Sequence, residues 1–240
     1  MDKIEFEKVF KKYSKKLDME INDNQIDKFY KYMEILLEWN QKINLTAITD
    51  YEEIILKHFI DSLTIAKYID KNSYLVDVGT GAGFPGIPLK IVREDIRIVL
   101  LDSLNKRIQF LNEVINQLDL KNIEAVHSRV EEFGRNKKYR EKFDIVTSRA
   151  VANLSTLSEY MIPLVKVNGK CICMKGKDIE QELQDAKNAI NMLGGKVVEK
   201  VEFQLLDNDI NRSIIFISKV KSTPSKYPRK PGTPSKEPIK

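Results

Sequence analysis

From residue 73 onward the chain alternates short β-rich runs with amphipathic stretches, and that alternation leaves it few folds. The runs YLVDV (74–78), IRIVLLD (96–102), NIEAVH (122–127), FDIVTS (143–148) and KCICMK (170–175) are strand candidates. Their near-continuous apolar character marks strands buried on both faces, as in a parallel sheet. Leu104, Ile108, Leu111, Ile115 and Leu118 form a helical stripe between the second and third runs. Ile179, Leu183, Ala186, Ile190 and Leu193 form another, closed by Gly194 and Gly195. The last two runs, VVEKVEFQL (197–205) and SIIFIS (213–218), are separated by only seven residues. Seven residues cannot carry a crossover helix, so this pair is expected to be antiparallel. The expected fold is α/β: a Rossmann-like, doubly wound sheet, mostly parallel, with a terminal antiparallel hairpin.

The front of the chain differs. Ile26, Phe29, Tyr30, Met33, Leu36 and Leu37 repeat at helical spacing, as do Ile54, Ile55, Phe59, Leu63 and Ile65, and no glycine precedes Gly79. Three parts follow: a helical segment over 1–71 packed on the core, a catalytic-type domain over 72–220, and a tail over 221–240. The tail holds five Lys, one Arg and one Glu, which accounts for the whole net charge of +5, and five of the eight prolines. Lacking an apolar face, it is expected to be disordered, partly polyproline II. Its six cations suit a polyanion and would steepen the salt dependence of RNA binding by up to about 4 log units per log unit of salt. A solubilising terminus without function is the alternative.

The charge-balanced body excludes a globally basic nucleic-acid binder. The apolar runs fall far short of the roughly 20 residues that span a bilayer, and the charged N-terminus has no secretory h-region. A cytoplasmic protein with reduced thiols and without membrane association is therefore expected, with Cys171 and Cys173 facing the same way on a strand. His58 and His127 lie far apart in sequence, so no zinc site and no histidine base are expected.

Ligands in such sheets bind at the carboxyl ends of the strands, near the switch point. Four segments deliver residues there. In D-V-G-T-G-A-G-F-P-G-I-P-L, Gly79, Gly81 and Gly83 let the backbone turn and approach a ligand. Asp77 before them would repel a pyrophosphate but attract an ammonium group, and Pro85 and Pro88 remove N–H donors from the following helix start. Asp102, at the tip of the second strand, suits the two hydroxyls of a ribose. Backbone groups around Val130 and Glu131 could bracket an adenine edge. Arg149, after the fourth strand, suits phosphate or a base face, and Lys175 is a second cation at the same rim.

These motifs, with S-R-A-V-A at 148–152, W-N-Q-K-I-N-L-T at 39–46 and K-H-F-I-D-S-L at 57–63, resemble the RsmG (GidB) family over about residues 20–220. The resemblance implies a class I methyltransferase using S-adenosyl-L-methionine and releasing S-adenosyl-L-homocysteine. Its implied acceptor is N7 of a guanine in the 530 loop of 16S rRNA, as free RNA, small subunit or assembly intermediate. It carries cofactor contacts onto Gly79, Phe84, Val130, Glu131 and Arg149; Asp77, Gly81, Gly83 and Asp102 join them on the physical argument. Asn40 and Asn44, polar where a helix ends, are candidate RNA contacts together with Lys175. His58 and Asp61 are expected to bond to each other. No metal is implied, and a monomer is expected. A guanine N7 has a lone pair and no proton, so a direct in-line transfer needs no general base, and Arg149 is expected to position rather than to stack on the target. A small-molecule methyltransferase, a non-catalytic cofactor-dependent RNA-binding protein and an NAD-dependent oxidoreductase are the rival readings.

Overall fold

The computed structural model describes residues 1–177, 179–206 and 210–239. Positions 178, 207–209 and 240 lie outside the described residues.

Seven strands form one sheet in the order β3-β2-β1-β4-β5-β7-β6. They are β1 (Tyr74–Val78), β2 (Arg97–Asp102), β3 (Ile123–His127), β4 (Phe143–Arg149), β5 (Val165–Lys175), β6 (Gly195–Gln204) and β7 (Asn211–Lys219). The first five pair in parallel. β7 inserts antiparallel between β5 and β6, as the short connection requires. One strand departs from expectation. β3 is an edge strand with no residue fully buried, because only β2 flanks it.

Alternate strand residues face opposite layers. Leu75, Ile98, Leu100, Ile145 and Ile172 point to the front layer, where they share one apolar cluster with Phe10, Phe29 and Phe59 of the N-terminal block. That block comprises α1 (Lys3–Lys15), α2 (Asp23–Asn40), α3 (Tyr51–Ile54), a π-helical turn (Ile55–Ile60) and α4 (Asp61–Leu63). Asn22 and Gln25 close a reciprocal capping box at the start of α2. Behind the sheet, Val76, Val78, Val99, Val146, Cys171 and Cys173 meet α8 (Leu154–Met161) and α9 (Glu180–Leu193). Both cysteines are buried and unpaired with each other, and burial pushes the Cys173 thiol up to about 12. The expected C-cap of α9 is present, with Gly194 at φ 92°. Among the described residues no helix is long and apolar enough to cross a membrane.

The expected disorder of the tail is not what the structure shows. Residues 223–239 run as a folded strap behind the sheet, ending in α10 (Thr233–Lys236). The body supplies what the tail lacks. Arg140 donates to the carbonyls of Tyr227 at 2.6 Å and Thr223 at 2.8 Å, and Arg135 donates to that of Pro228 at 2.7 Å. Tyr227 and Ile239 bury themselves in the rear cluster. Composition alone suggested disorder because half of the interface belongs to the body.

Candidate functional site

The parallel strands change direction of progression between β1 and β4, and there the sheet opens a cleft. It has two adjoining chambers of about 470 and 270 Å³ that share Gly79, Asp102, Ser103 and Val151. The floor is the glycine loop. Gly79 sits at φ 67°, and a Cβ on it would come within 2.6 Å of Val151, so only the bare backbone fits. α2 holds the loop from the front, where the buried Tyr32 hydroxyl donates to the Ala82 carbonyl.

Asp77 lines neither chamber. It is fully buried beneath the loop, where its Oδ2 accepts from Thr80 Oγ1 at 2.6 Å and from the Gly86 amide at 2.9 Å. Its Oδ1 is buried without a partner among the described residues. Burial pushes the carboxyl up to about 6, against the two hydrogen bonds that lower it. Instead of facing an ammonium group openly, this carboxylate ties the glycine loop to the start of α5 (Gly86–Val92).

Asp102 stands where expected, at the tip of β2 between the chambers. Its carboxylate accepts from the amides of Gly81 at 3.0 Å and Leu104 at 2.9 Å and from Arg107 Nη1 at 3.2 Å. Two of these partners are fixed backbone; Arg107 is a half-exposed side chain that can yield its place. A carboxylate has about four acceptor positions, so a diol can be accommodated once Arg107 turns away.

The larger chamber is walled by the N-terminal block. The expected His58–Asp61 bond is absent, because the π-helical turn changes their relative facing and Arg149 comes between them. Arg149 donates to Asp61 Oδ2 at 2.9 Å, to the Lys57 carbonyl at 3.1 Å and to His58 Nδ1 at 3.3 Å. Its guanidinium lies over the Phe84 ring, whose face also stacks on His58 at 4.6 Å. Asp61 is 2% exposed and takes a second guanidinium, Arg212 from β7, at 2.7 Å. His58 closes the set. Its Nε2 lies 2.8 Å from Thr46 Oγ1, and burial together with the Arg149 charge lowers its pKa to about 3. The ring is therefore neutral; with Nδ1 accepting from Arg149, Nε2 carries the proton and donates to Thr46.

Several expectations need correcting here. A histidine does line the cleft, although its low pKa keeps it from binding a proton near neutrality. Asn40 is a clamp rather than an open contact: its side chain accepts from the Leu45 and Thr46 amides and donates to the Thr46 carbonyl. Lys175 is buried, paired with Glu182 and the Ala152 carbonyl at 2.6 Å each, and reaches neither chamber. Asn44 is exposed beside Leu45 and Thr46, which line the larger chamber. Gly81, Phe84 and Arg149 line that chamber, Val130 and Glu131 the smaller one, and Gly83 neither. Gly83, at φ 93°, leaves room for Ile87 and Tyr32 behind the loop. Thr46 belongs to the 39–46 motif, whereas Arg107, Arg129 and Tyr160 line the chambers from elements far apart in the chain and no sequence motif singles them out. No cluster of potential metal ligands occurs among the described residues.

The chain matches, over residues 25–215, the model of the GidB family, described as rRNA small subunit methyltransferase G. It is 50% identical to the ribosomal RNA small subunit methyltransferase G of Alkaliphilus metalliredigens, with 99% of this chain and 100% of that protein covered. It is 58% identical to the protein of the same name from Acetivibrio thermocellus, covering 91% and 90% of the two chains. Among solved structures, a SAM-dependent methyltransferase from Aquifex aeolicus superposes with a TM-score of 0.53 at 17% identity, over 75% of this chain and 97% of that one. The structure of M. jannaschii TYW2 in complex with AdoMet does so with 0.54 at 15% identity, over 67% and 75%. Likeness at this level of identity establishes the fold, that of the class I S-adenosylmethionine-dependent methyltransferases.

Proposed function

This chain belongs to the rRNA small subunit methyltransferase G (GidB) family, and from that premise we propose that it methylates N7 of a guanine in the 530 loop of 16S rRNA. The observation that carries the reading is the two-chambered cleft, with a bare-backbone floor at Gly79, a carboxylate at Asp102 and an arginine-lined chamber beyond. A nucleoside joined to an amino acid matches that order. The ribose would bond to Asp102, the adenine would lie beside Val130 and Glu131, and the amino-acid end would run over Gly79, Gly81 and Phe84 toward Arg149. The orphaned, buried Oδ1 of Asp77 gives this end of the loop a negative character that favours an ammonium.

S-adenosyl-L-methionine, when bound, supplies an electrophilic methyl group on a sulfonium. The acceptor N7 carries a lone pair and no proton, so the protein need not remove one. His58 agrees with this: both ring nitrogens are engaged and the ring is neutral. The chain's contribution is then positioning, which supplies up to roughly 7–11 kcal/mol in favourable cases. Arg149 is restrained by Asp61, so it shapes the chamber and holds Phe84 rather than reaching for the target base. Arg107 and Arg129 line the chambers and Asn44 is exposed beside the larger one, which supports reading all three as RNA contacts. Because the target base sits inside folded RNA, it must be unstacked to enter.

The test is to map N7-methylguanine in 16S rRNA with and without the protein, together with methyl transfer from labelled S-adenosylmethionine to free rRNA and to small subunits. One new N7-methylguanine in the 530 loop is expected. Methylation at another atom or in another RNA would overturn the acceptor assignment.

A further inference from the structure

The smaller chamber has a wall that the cofactor motifs do not supply. Gly232 and Ser235, both from the C-terminal strap, line it opposite Asp102 and Val130. The family match ends at residue 215, before the strap begins. We propose that the strap completes the nucleoside end of the cleft, so that strap docking and nucleoside binding are coupled. The proposal rests on the reading of the cleft as an S-adenosylmethionine site.

Three observations support it. First, the strap is tied to the residue that flanks the chamber: the Gly232 amide donates at 2.8 Å to Oε1 of Glu131, a carboxylate only 3% exposed. That bond is possible because Gly232 turns at φ 82°, a conformation costly for any residue with a side chain. Second, the tie is reinforced just upstream. Arg229 grips the fully buried Glu159 through Nε and Nη2, at 3.0 and 2.7 Å, while its own backbone amide bonds the same carboxylate at 2.7 Å. Third, Thr156 Oγ1 donates to the Pro234 carbonyl at 3.1 Å, fixing the turn that carries Ser235. These three ties are charge-assisted or side-chain bonds, and apolar burial of the strap is confined to a few residues, chiefly Tyr227 and Ile239. Such a segment opens locally without unfolding the body. A ligand that contacts only the docked strap must then stabilise docking, and an undocked strap must weaken the ligand by the same factor.

The inference is tested on the full chain with S-adenosylhomocysteine and adenosine as probes, by calorimetric titration and by amide hydrogen exchange over residues 223–239. Ligand is expected to slow exchange across the strap. Ser235→Trp, at an exposed position outside the Glu131, Glu159 and Thr156 ties, gives up a hydroxyl bonded to Tyr160, fills the chamber and should weaken both probes on the order of tenfold or more. Arg229→Ala releases the strap, and should raise its exchange and weaken both probes by a comparable factor. Wild-type affinity in both variants would overturn the strap proposal while leaving the cofactor reading intact. A wild-type protein that bound neither probe would overturn the cofactor reading and this proposal with it.

Discussion

The two ends of the cleft are walled by opposite constructions. The front wall, built by residues 39–63, is continuous with the main apolar cluster. Phe84 is packed among Tyr32, His58 and Phe59, and Asp61 ties Arg149 of β4 to Arg212 of β7. The rear wall is a strap held at its edges by guanidinium–carbonyl and guanidinium–carboxylate bonds. A wall that is part of the core opens only with global unfolding. A wall tacked onto the core opens alone. The reacting end of the cofactor would thus face the rigid wall, and its nucleoside end the releasable one.

Four measurements break or sharpen this contrast. Asp61→Ala leaves two buried or half-buried guanidinium groups without their carboxylate, and should cost about 3–5 kcal/mol of global stability, read by urea unfolding. If it changed only local exchange, the front wall would not be part of the core.

His58 in the front wall and Asp77 beneath the glycine loop respond to acid in opposite senses. His58 falls from its ordinary 6.5 to about 3 on folding, so the folded state binds fewer protons than the unfolded one between those values. Stability on its account is complete above pH 6.5 and is lost as pH falls through that window, by about 2 kcal/mol between pH 7 and pH 5. Asp77 acts in the other direction: raised to about 6, it favours folding as pH falls from 6 toward 3.8. Between pH 7 and pH 5 that recovers about 1.4 kcal/mol. The wild type should therefore show little net change, His58→Gln should gain stability on acidification, and Asp77→Asn should lose it. Parallel profiles for all three proteins would refute the opposed shifts.

Arg229→Ala should cost only about 1–2 kcal/mol globally, because a released strap lets water reach Glu159. An effect as large as that of Asp61→Ala would place the strap within the core. Glu131→Gln, which keeps an acceptor but removes its charge, should be mildest, at about 0.5–1 kcal/mol, and visible as faster exchange of the Gly232 amide. No change there would mean that the amide is held by something other than this bond.

The strap also changes what its charge can do. Arg229 is spent on Glu159, whereas Lys221, Lys226, Lys230 and Lys236 are exposed. At roughly 0.7 log units per phosphate, these four cations of the tail, if they met RNA, would contribute a salt slope nearer about 3 than 4.

The sequence by itself determined the sheet, the glycine loop and Asp102. Strand periodicity, the seven-residue hairpin gap and glycines at positive φ are local properties, set by which conformations a few neighbouring residues can adopt. It also carried the family likeness, in motifs lying within single turns. The tertiary structure alone decided what those residues face. Asn40 and Lys175 looked like free polar groups, yet each is engaged by partners that folding brings to it. His58 and Asp61, three apart, meet through an arginine about ninety positions away in the chain rather than directly. The Lys/Pro tail is ordered because the body holds buried carboxylates and arginines that need its amides, carbonyls and one guanidinium. A buried charge requires a partner, and no local pattern records where in the chain that partner lies.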